Sequence, residues 1–370
     1  MRLVAPRLLA QVTKELLSVW RDPKSRFFLI GPPLIQLFVF SFAATLDVRN
    51  VDIGVYNRDS GSRAYELVSR VAAASFVRSL HPVHGRADLR RMIERREVIA
   101  VIDIAESFSR DIDSGRAGKA QVILDGRRAN SAQIVLGYLN GIATSLGAEF
   151  SGSIGASGES AAVRHWFNPN LIYRWFVVPS LGGILLTFIT LLITALSIAR
   201  ERELGTFDQL LVSPCTPIEI IVSKMAPALL FGTALGMFMA AAGVFVLAVP
   251  FTGSFVLLLV SMLVFILSVV GIGLMISSVC STQQQAILGA FAIGVPAVLM
   301  SGFATPVENM PRVLQILAQA IPLKHYLIIL QGSFLKSLPP SEVFSNAWPM
   351  VIIAFVTLSA ATLFVRGKLQ

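Results

Sequence analysis

The densest run of charged and turn-forming residues in this 370-residue chain is Arg200-Glu201-Arg202-Glu203-Leu204-Gly205-Thr206-Phe207-Asp208-Gln209-Leu210-Leu211-Val212-Ser213-Pro214, followed by Pro217, Glu219 and Lys224. Gly205 can interrupt a helix, Thr206 can cap the next one through its side-chain oxygen, and Pro214 can end it. The spacing predicts a short helix over 204–214 with Phe207, Leu210 and Leu211 on one face, which must be buried against a membrane surface or a protein partner. Groups suited to covalent or metal chemistry are sparse. His81 and His84 are three residues apart, but His81 precedes Pro82 in a predicted loop, His165 is remote, and no Asp, Glu or Cys joins them at zinc spacing, so no metal site is expected. The stretch Gly115 to Lys119 has the wrong glycine spacing for a phosphate-binding loop, and Ala120 stands where a hydroxyl is needed; the chain does not cradle ATP by that motif. Cys215 and Cys280 are far apart and sit in no ligand pattern.

The elements that carry these residues follow from composition. With 54% hydrophobic and 14% charged residues, the chain departs from soluble proteins, in which about a quarter of residues are charged. Six apolar stretches, Phe27 to Leu46, Trp175 to Ala199, Met225 to Val249, Phe255 to Val279, Gln284 to Ser301 and Ala347 to Val365, are long enough for spanning helices and contain no Asp, Glu, Lys or Arg. The fold class is therefore a mainly α membrane protein: six transmembrane helices with a large external α/β domain between helices 1 and 2. Arg2, Arg7, Lys14, Arg21, Lys24 and Arg26 before the first span, and Arg366 and Lys368 in the tail 366–370, place both termini in the cytoplasm, residues 47–172 outside and the 204–214 helix inside. Much of the +9 net charge lies beside membrane segments, so nucleic acid is not an expected partner. Residues 1–26 carry Leu8, Leu9, Val12, Leu16, Val19 and Trp20 at helical spacing, an amphipathic helix on the cytoplasmic membrane lipid that Asp22 and Pro23 end. This leader is too long for an ordinary signal-peptide n-region, so the first span is read as retained.

Within 47–172, strands are expected at Val51 to Tyr56, Glu97 to Asp103 and Ala120 to Leu124, with a weaker one near Phe76 to Leu80. Helices are expected at Ser62 to Ala73, Ala87 to Arg96 and Glu106 to Ser114, then a long amphipathic pattern from Asn130 to Phe150 and a flexible stretch Ser151 to Ser160. Arg90, Arg91, Arg95 and Arg96 alternate with Glu94 and Glu97, which reads as a solvated, salt-bridged helix face. In the spans, Gly232 and Gly236 permit close helix approach, within one chain or between two. Thr187, Thr190, Thr194 and Ser268 are candidates to face a translocation path, although such hydroxyls also bond their own helix backbone.

The stretch Arg200 to Glu203 with Gly205-Thr206, Leu210-Leu211, Ser213-Pro214, Glu219 and Lys224, together with Pro306-Val307-Glu308-Asn309-Met310-Pro311 before the last span, resembles ABC transporter permeases of the type-2 exporter class, especially bacterial multidrug-type membrane subunits. The resemblance covers nearly the whole chain. It implies that 204–214 is a coupling helix docking on a cytoplasmic ABC ATPase subunit, with Glu201, Arg202, Glu203, Gly205, Thr206, Phe207, Leu210, Leu211, Ser213 and Pro214 transmitting motion. It further implies two permeases and two ATPase subunits, with ATP and Mg held by the latter and no enzymatic centre in this chain. Residues 302–345, including Pro306, Glu308, Asn309 and Pro311, would form an external gate of short membrane-dipping helices, although proline punctuation alone explains the same residues. Location in the bacterial inner membrane, a second permease copy or homologue, a periplasmic adaptor and export of drugs or amphiphilic, lipid-like compounds are what the resemblance leads one to expect. Two other classes fit parts of the pattern: a membrane-anchored sensor or scaffold with an external ligand-binding domain, and an ion-coupled secondary transporter. The latter lacks support from the drawn spans, which hold no carboxylate or histidine to relay protons.

Overall fold

The computed structural model describes residues 4–43, 48, 50–152, 172–207 and 215–368. The end of the first predicted span, most of the stretch expected to be flexible, His165 and residues 208–214, with Leu210, Leu211, Ser213 and Pro214, lie outside the described residues. The chain divides into two units, Met1–Ala44 with His165–Gln370 and Thr45–Arg164.

The first unit is helical. An amphipathic helix α1 (Val4–Arg21) is separated from α2 (Pro23–Ala43) by Asp22 alone. After the second unit come α7 (Tyr173–Glu203), α8 (Pro217–Phe245), α9 (Phe255–Val279), α10 (Gln283–Met300), α11 (Arg312–Gln319), α12 (Pro322–Leu335) and α13 (Pro340–Lys368). Five of these, α7 to α10 and α13, are long and apolar enough to cross a membrane; α11 and α12, bent by 77° at their junction, make up to a sixth. At the first predicted span, the described apolar helix runs only from Ile30 to Val39.

Three points modify the expectations. Residues 302–345 form short helices, α11 and α12, and α12 belongs to the core: Tyr326, 1% exposed, stacks on Phe265 of α9 with ring centroids 4.1 Å apart. Its polar residues, Lys324, His325, Gln331 and Ser333, do not gather on one face, and His325 and Ser333 are buried, so the helix lacks the period that reveals a surface helix. Second, α8 begins at Pro217, so Glu219 and Lys224 lie inside the helix and not in a loop before it. Third, α12 brings a buried histidine into the membrane unit, His325, whose Nε2 sits 3.0 Å from the Gln319 carbonyl oxygen across the bend.

Glycines set the closest helix contacts. A Cβ on Gly273 of α9 would occupy the Thr194 hydroxyl of α7, and one on Gly271 would meet Thr357 of α13. Gly232 and Gly236 of α8 face Leu186 of α7, with Ile266 and Met262 of α9 beside them, so this small-residue ridge packs within the chain. The turn between α8 and α9 is fastened to the end of α12: the Gly253 amide donates to the Ser333 carbonyl (2.8 Å) and the Ser337 hydroxyl donates to that of Thr252 (2.7 Å).

The second unit is a four-stranded sheet of order β2-β1-β3-β4. Its strands are β1 (Val51–Asn57), β2 (Val77–Pro82), β3 (Ala100–Ile104) and β4 (Ala120–Leu124). β1 runs parallel to β2 and β3, and β4 runs antiparallel to β3. Helices α3 (Ser62–Ala73) and α6 (Ala129–Gly152) bury Val51, Ile53, Ala100 and Ile102, while α4 (Arg86–Glu94) buries Val98 and Val101. Coverage of both faces explains why β3 is apolar throughout its first three residues. A short helix α5 (Phe108–Asp113) seats Phe108 beside α3. On α4, Arg90 pairs with Glu94 at 2.8 Å and Arg91 with Asp88.

Candidate coupling site

The end of α7 is closed by a left-handed glycine. Gly205 has φ of +69°, its amide donates to the Arg202 carbonyl (3.1 Å), and the Thr206 amide reaches the Glu201 carbonyl (2.9 Å). This pair of bonds satisfies carbonyls that a helix end leaves orphaned, and the φ requires a residue without a Cβ. The Thr206 hydroxyl donates backward to the same Glu201 carbonyl at 3.3 Å and so secures the helix behind it, while the segment it was expected to cap lies outside the described residues. Phe207 is 7% exposed and joins the core of the helical unit, with the Arg202 guanidinium carbon 5.0 Å from its ring centroid. The expectation that Phe207 presents itself on a docking face is thereby corrected: its ring anchors the start of the segment. Attraction to the Arg202 cation adds to its burial.

Four consecutive charged residues each reach a different element. Arg200 lies 3.6 Å from Asp22, the corner between α1 and α2. Glu201 pairs with Lys14 of α1 at 2.7 Å and with Lys224 of α8 at 2.9 Å. Arg202 donates to the Cys280 carbonyl just after α9 (3.0 Å), and the Glu203 carboxylate accepts the Gln283 amide at the start of α10 (2.7 Å). An anion at that position also complements the positive end of α10. The spacing has a simple cause: at about 100° per residue, four successive side chains point around the whole helix.

The centre of this arrangement is a neutral cluster of four charges. The Lys224 side chain is 1% exposed and also lies 3.2 Å from Glu15, whose side chain is 10% exposed; that of Glu201 is 11% exposed. Its approach to Glu201 Oε2 is an ion pair by distance without hydrogen-bond alignment, since that oxygen has no hydrogen-bond partner. Lys14 lies at the edge. Burial opposes its charge, but the hydrogen bond and attraction of Glu201, with Glu15 behind it, outweigh that and raise its pKa above the ordinary lysine value. Nearby, Thr216 and Glu219 form a reciprocal cap at the start of α8: the Glu219 amide donates to the Thr216 hydroxyl (3.3 Å) and the Thr216 amide to the Glu219 carboxylate (2.7 Å), with Pro217 at the first helical position. Lys14, Glu15 and Thr216 were missed as site residues. The only sequence signals were a carboxylate beside the apolar stripe of α1 and the Thr-x-x-Glu pattern ahead of α8.

The other predicted residues are not brought to this cluster. Pro306 precedes a single 3-10 turn, Val307–Asn309, Pro311 precedes α11, and Glu308 and Asn309 are exposed; the Glu308 carbonyl accepts the Gln315 side-chain amide at 3.1 Å. Since α10 starts at the coupling cluster and has 18 residues, its other end lies about 27 Å along the helix axis at 1.5 Å per residue. Thr187, Thr194 and Ser268 are buried and donate to carbonyls of their own helices, those of Gly183, Thr190 and Phe265 respectively. The Thr190 hydroxyl is buried without a hydrogen-bond partner, packed where α8 passes at Gly232. None of the four lines open space in this conformation.

The sequence profile of ABC-2 family transporter proteins matches residues 24–363. The probable multidrug ABC transporter permease YbhR of Escherichia coli (strain K12) is 41% identical over 98% of this chain and 99% of its own length. The probable multidrug ABC transporter permease YbhS of the same organism is 27% identical over 98% of both chains, and its inner membrane transport permease YhhJ is 29% identical over 70% of this chain and 68% of its own. With the family profile over most of its length and a relative 41% identical nearly end to end, this chain belongs to the ABC-2 transporter family.

Proposed function

We propose that this chain is the transmembrane permease subunit of an ATP-driven exporter in the inner membrane, with both termini cytoplasmic and the α/β unit outside. Two permease copies, or this chain and a homologue, combine with two cytoplasmic ABC ATPase subunits that bind ATP and Mg; a periplasmic adaptor is a further partner. The proposed cargo is drugs or amphiphilic, lipid-like compounds; the multidrug names of two bacterial relatives support the drugs. The observation that carries the reading is the tethering of Arg200 to Glu203 to four different elements directly ahead of Gly205. A displacement applied at 204–214 enters a block in which α1, α7, α8 and the start of α10 are bound together, so it moves these helices as a body instead of bending one of them.

Residues 204–214 are the ATPase-docking segment in this reading, with Leu210 and Leu211 on its contact face, Phe207 as its inner anchor and Ser213-Pro214 as its end. Pulling down the tagged permease should recover an ABC ATPase whose hydrolysis rate responds to amphiphilic compounds. Leu210→Asp with Leu211→Asp should abolish recovery while the protein still inserts. Undiminished recovery, or an outward location of 204–214 by cysteine accessibility, sinks the proposal.

A further inference from the structure

We infer that the α/β unit carries a binding site for an uncharged, drug-sized aromatic molecule, in the groove between α6 and the corner joining α3 to β2. The groove, open to solvent on one side, has a volume of about 600 Å³ and is walled by Phe76 and Tyr138, whose rings lie 4.8 Å apart at 43°, with Ile142 beside them and Ser145 along α6. Its volume falls in the roughly 300–1,000 Å³ range of small-molecule sites.

Its chemistry selects the ligand. None of the lining residues carries a formal charge, so an ion entering would shed water without compensation, whereas an apolar body with one or two polar atoms could use the hydroxyls of Ser75 and Ser145. The aromatic walls offer the edge and face contacts that planar rings prefer. Gly137 and Gly141 line it from α6. Packing dictates Gly54 and Gly61 in this unit, where a Cβ would press into Val101 and Ser109 respectively, whereas a Cβ on Gly85, Gly126 or Gly147 would also meet nothing within 4 Å. At Gly137 and Gly141 a Cβ would meet nothing within 4 Å, and neither residue has a positive φ. Glycine weakens a helix interior relative to alanine, and here neither backbone conformation nor packing requires it. A side chain at either position would project into the groove. The inference is independent of the transport direction and of the coupling reading.

The full-length protein in lipid nanodiscs, irradiated with a neutral phenyl-diazirine photoprobe and mapped by mass spectrometry, tests this. Saturable adducts on Phe76, Tyr138 and Ile142 are expected, reduced at least tenfold by excess non-photoactive analogue and lost in Gly137→Leu and Gly141→Leu. Should a leucine variant unfold the unit, as read by hydrogen exchange of β1 and β3, Gly141→Ala decides: it suits the helix and should lower adduct yield several-fold. Unsaturable labelling, labelling unchanged by Gly141→Ala in a folded unit, or displacement by added phospholipid but not by the aromatic analogue would each overturn the assignment.

Discussion

Replacing Lys224 by Met removes the one fully buried cation of the coupling cluster while keeping a side chain of similar length. Lys224 lies 2.9 Å from Glu201 and 3.2 Å from Glu15, and its own side chain is 1% exposed. Breaking a buried pair by deleting one partner costs about 3–5 kcal/mol, because the other charge is left without compensation. Lys14 still reaches Glu201 at 2.7 Å, so the lower figure applies. About 3 kcal/mol is roughly a hundredfold in an opening equilibrium. Lys14, with 53% of its side chain exposed, is screened by solvent, and Lys14→Met should cost only about 0–1 kcal/mol. The assay is amide hydrogen exchange of α1 in the purified protein: Lys224→Met should speed exchange across residues 8–18 by roughly a hundredfold, and Lys14→Met by less than about fivefold. Adding Glu15→Gln and Glu201→Gln to Lys224→Met should recover most of the loss, since no unpaired charge remains buried. Equal effects of the two lysine substitutions, or no recovery in the triple variant, would refute the claim that the buried cluster holds α1 to α7 and α8.

Gly205→Ala forces a Cβ into a φ of +69° and should cost about 1–2 kcal/mol locally; its readout is weakened stimulation of a co-purified ATPase with normal insertion. Thr216→Val removes the side-chain acceptor of the α8 cap and should lower stability by about 1 kcal/mol, visible as faster exchange in the first turn of α8 and not in its middle. In the α/β unit, the Arg78 hydrogen bond, helped by Ser79, holds the Asp52 carboxyl below its ordinary value against the cost of burial. A depressed carboxylate contributes stability above its unfolded pKa that disappears as pH falls through the folded value. Asp52→Asn should therefore speed β1 and β2 exchange at pH 7, and the difference from the unsubstituted protein should close below about pH 4; a difference that persists unchanged at acid pH would contradict it.

Much of the fold was legible because its signals are local. Apolar length revealed the helices that became α7, α8, α9, α10 and α13, and alternation of strand and helix patterns matched α3 and β4 residue for residue. Gly205 could be read as a helix stop because only glycine takes that φ cheaply. α12 was not legible: its polar residues are scattered around the helix, two of them, His325 and Ser333, are buried, and Pro322 at its start reads as punctuation. Phe207 was misjudged for the opposite reason, since helical spacing with Leu210 and Leu211 identifies a face without saying what covers it.

By itself the sequence determined that the chain is membrane-embedded, where its apolar helices lie and that one charged turn punctuates them, because hydropathy, φ preference and capping act over a few neighbouring residues. Only the tertiary structure decided which charges meet. Glu201 lies 187 residues from Lys14, and Lys224 lies 209 from Glu15, and nothing in local spacing distinguishes a lysine destined for solvent from one that packing encloses. Glu15, Glu201 and Lys224 can be buried because helix packing assembles them, with Lys14 at the edge, into a neutral set, a property that belongs to the arrangement and to none of the segments alone.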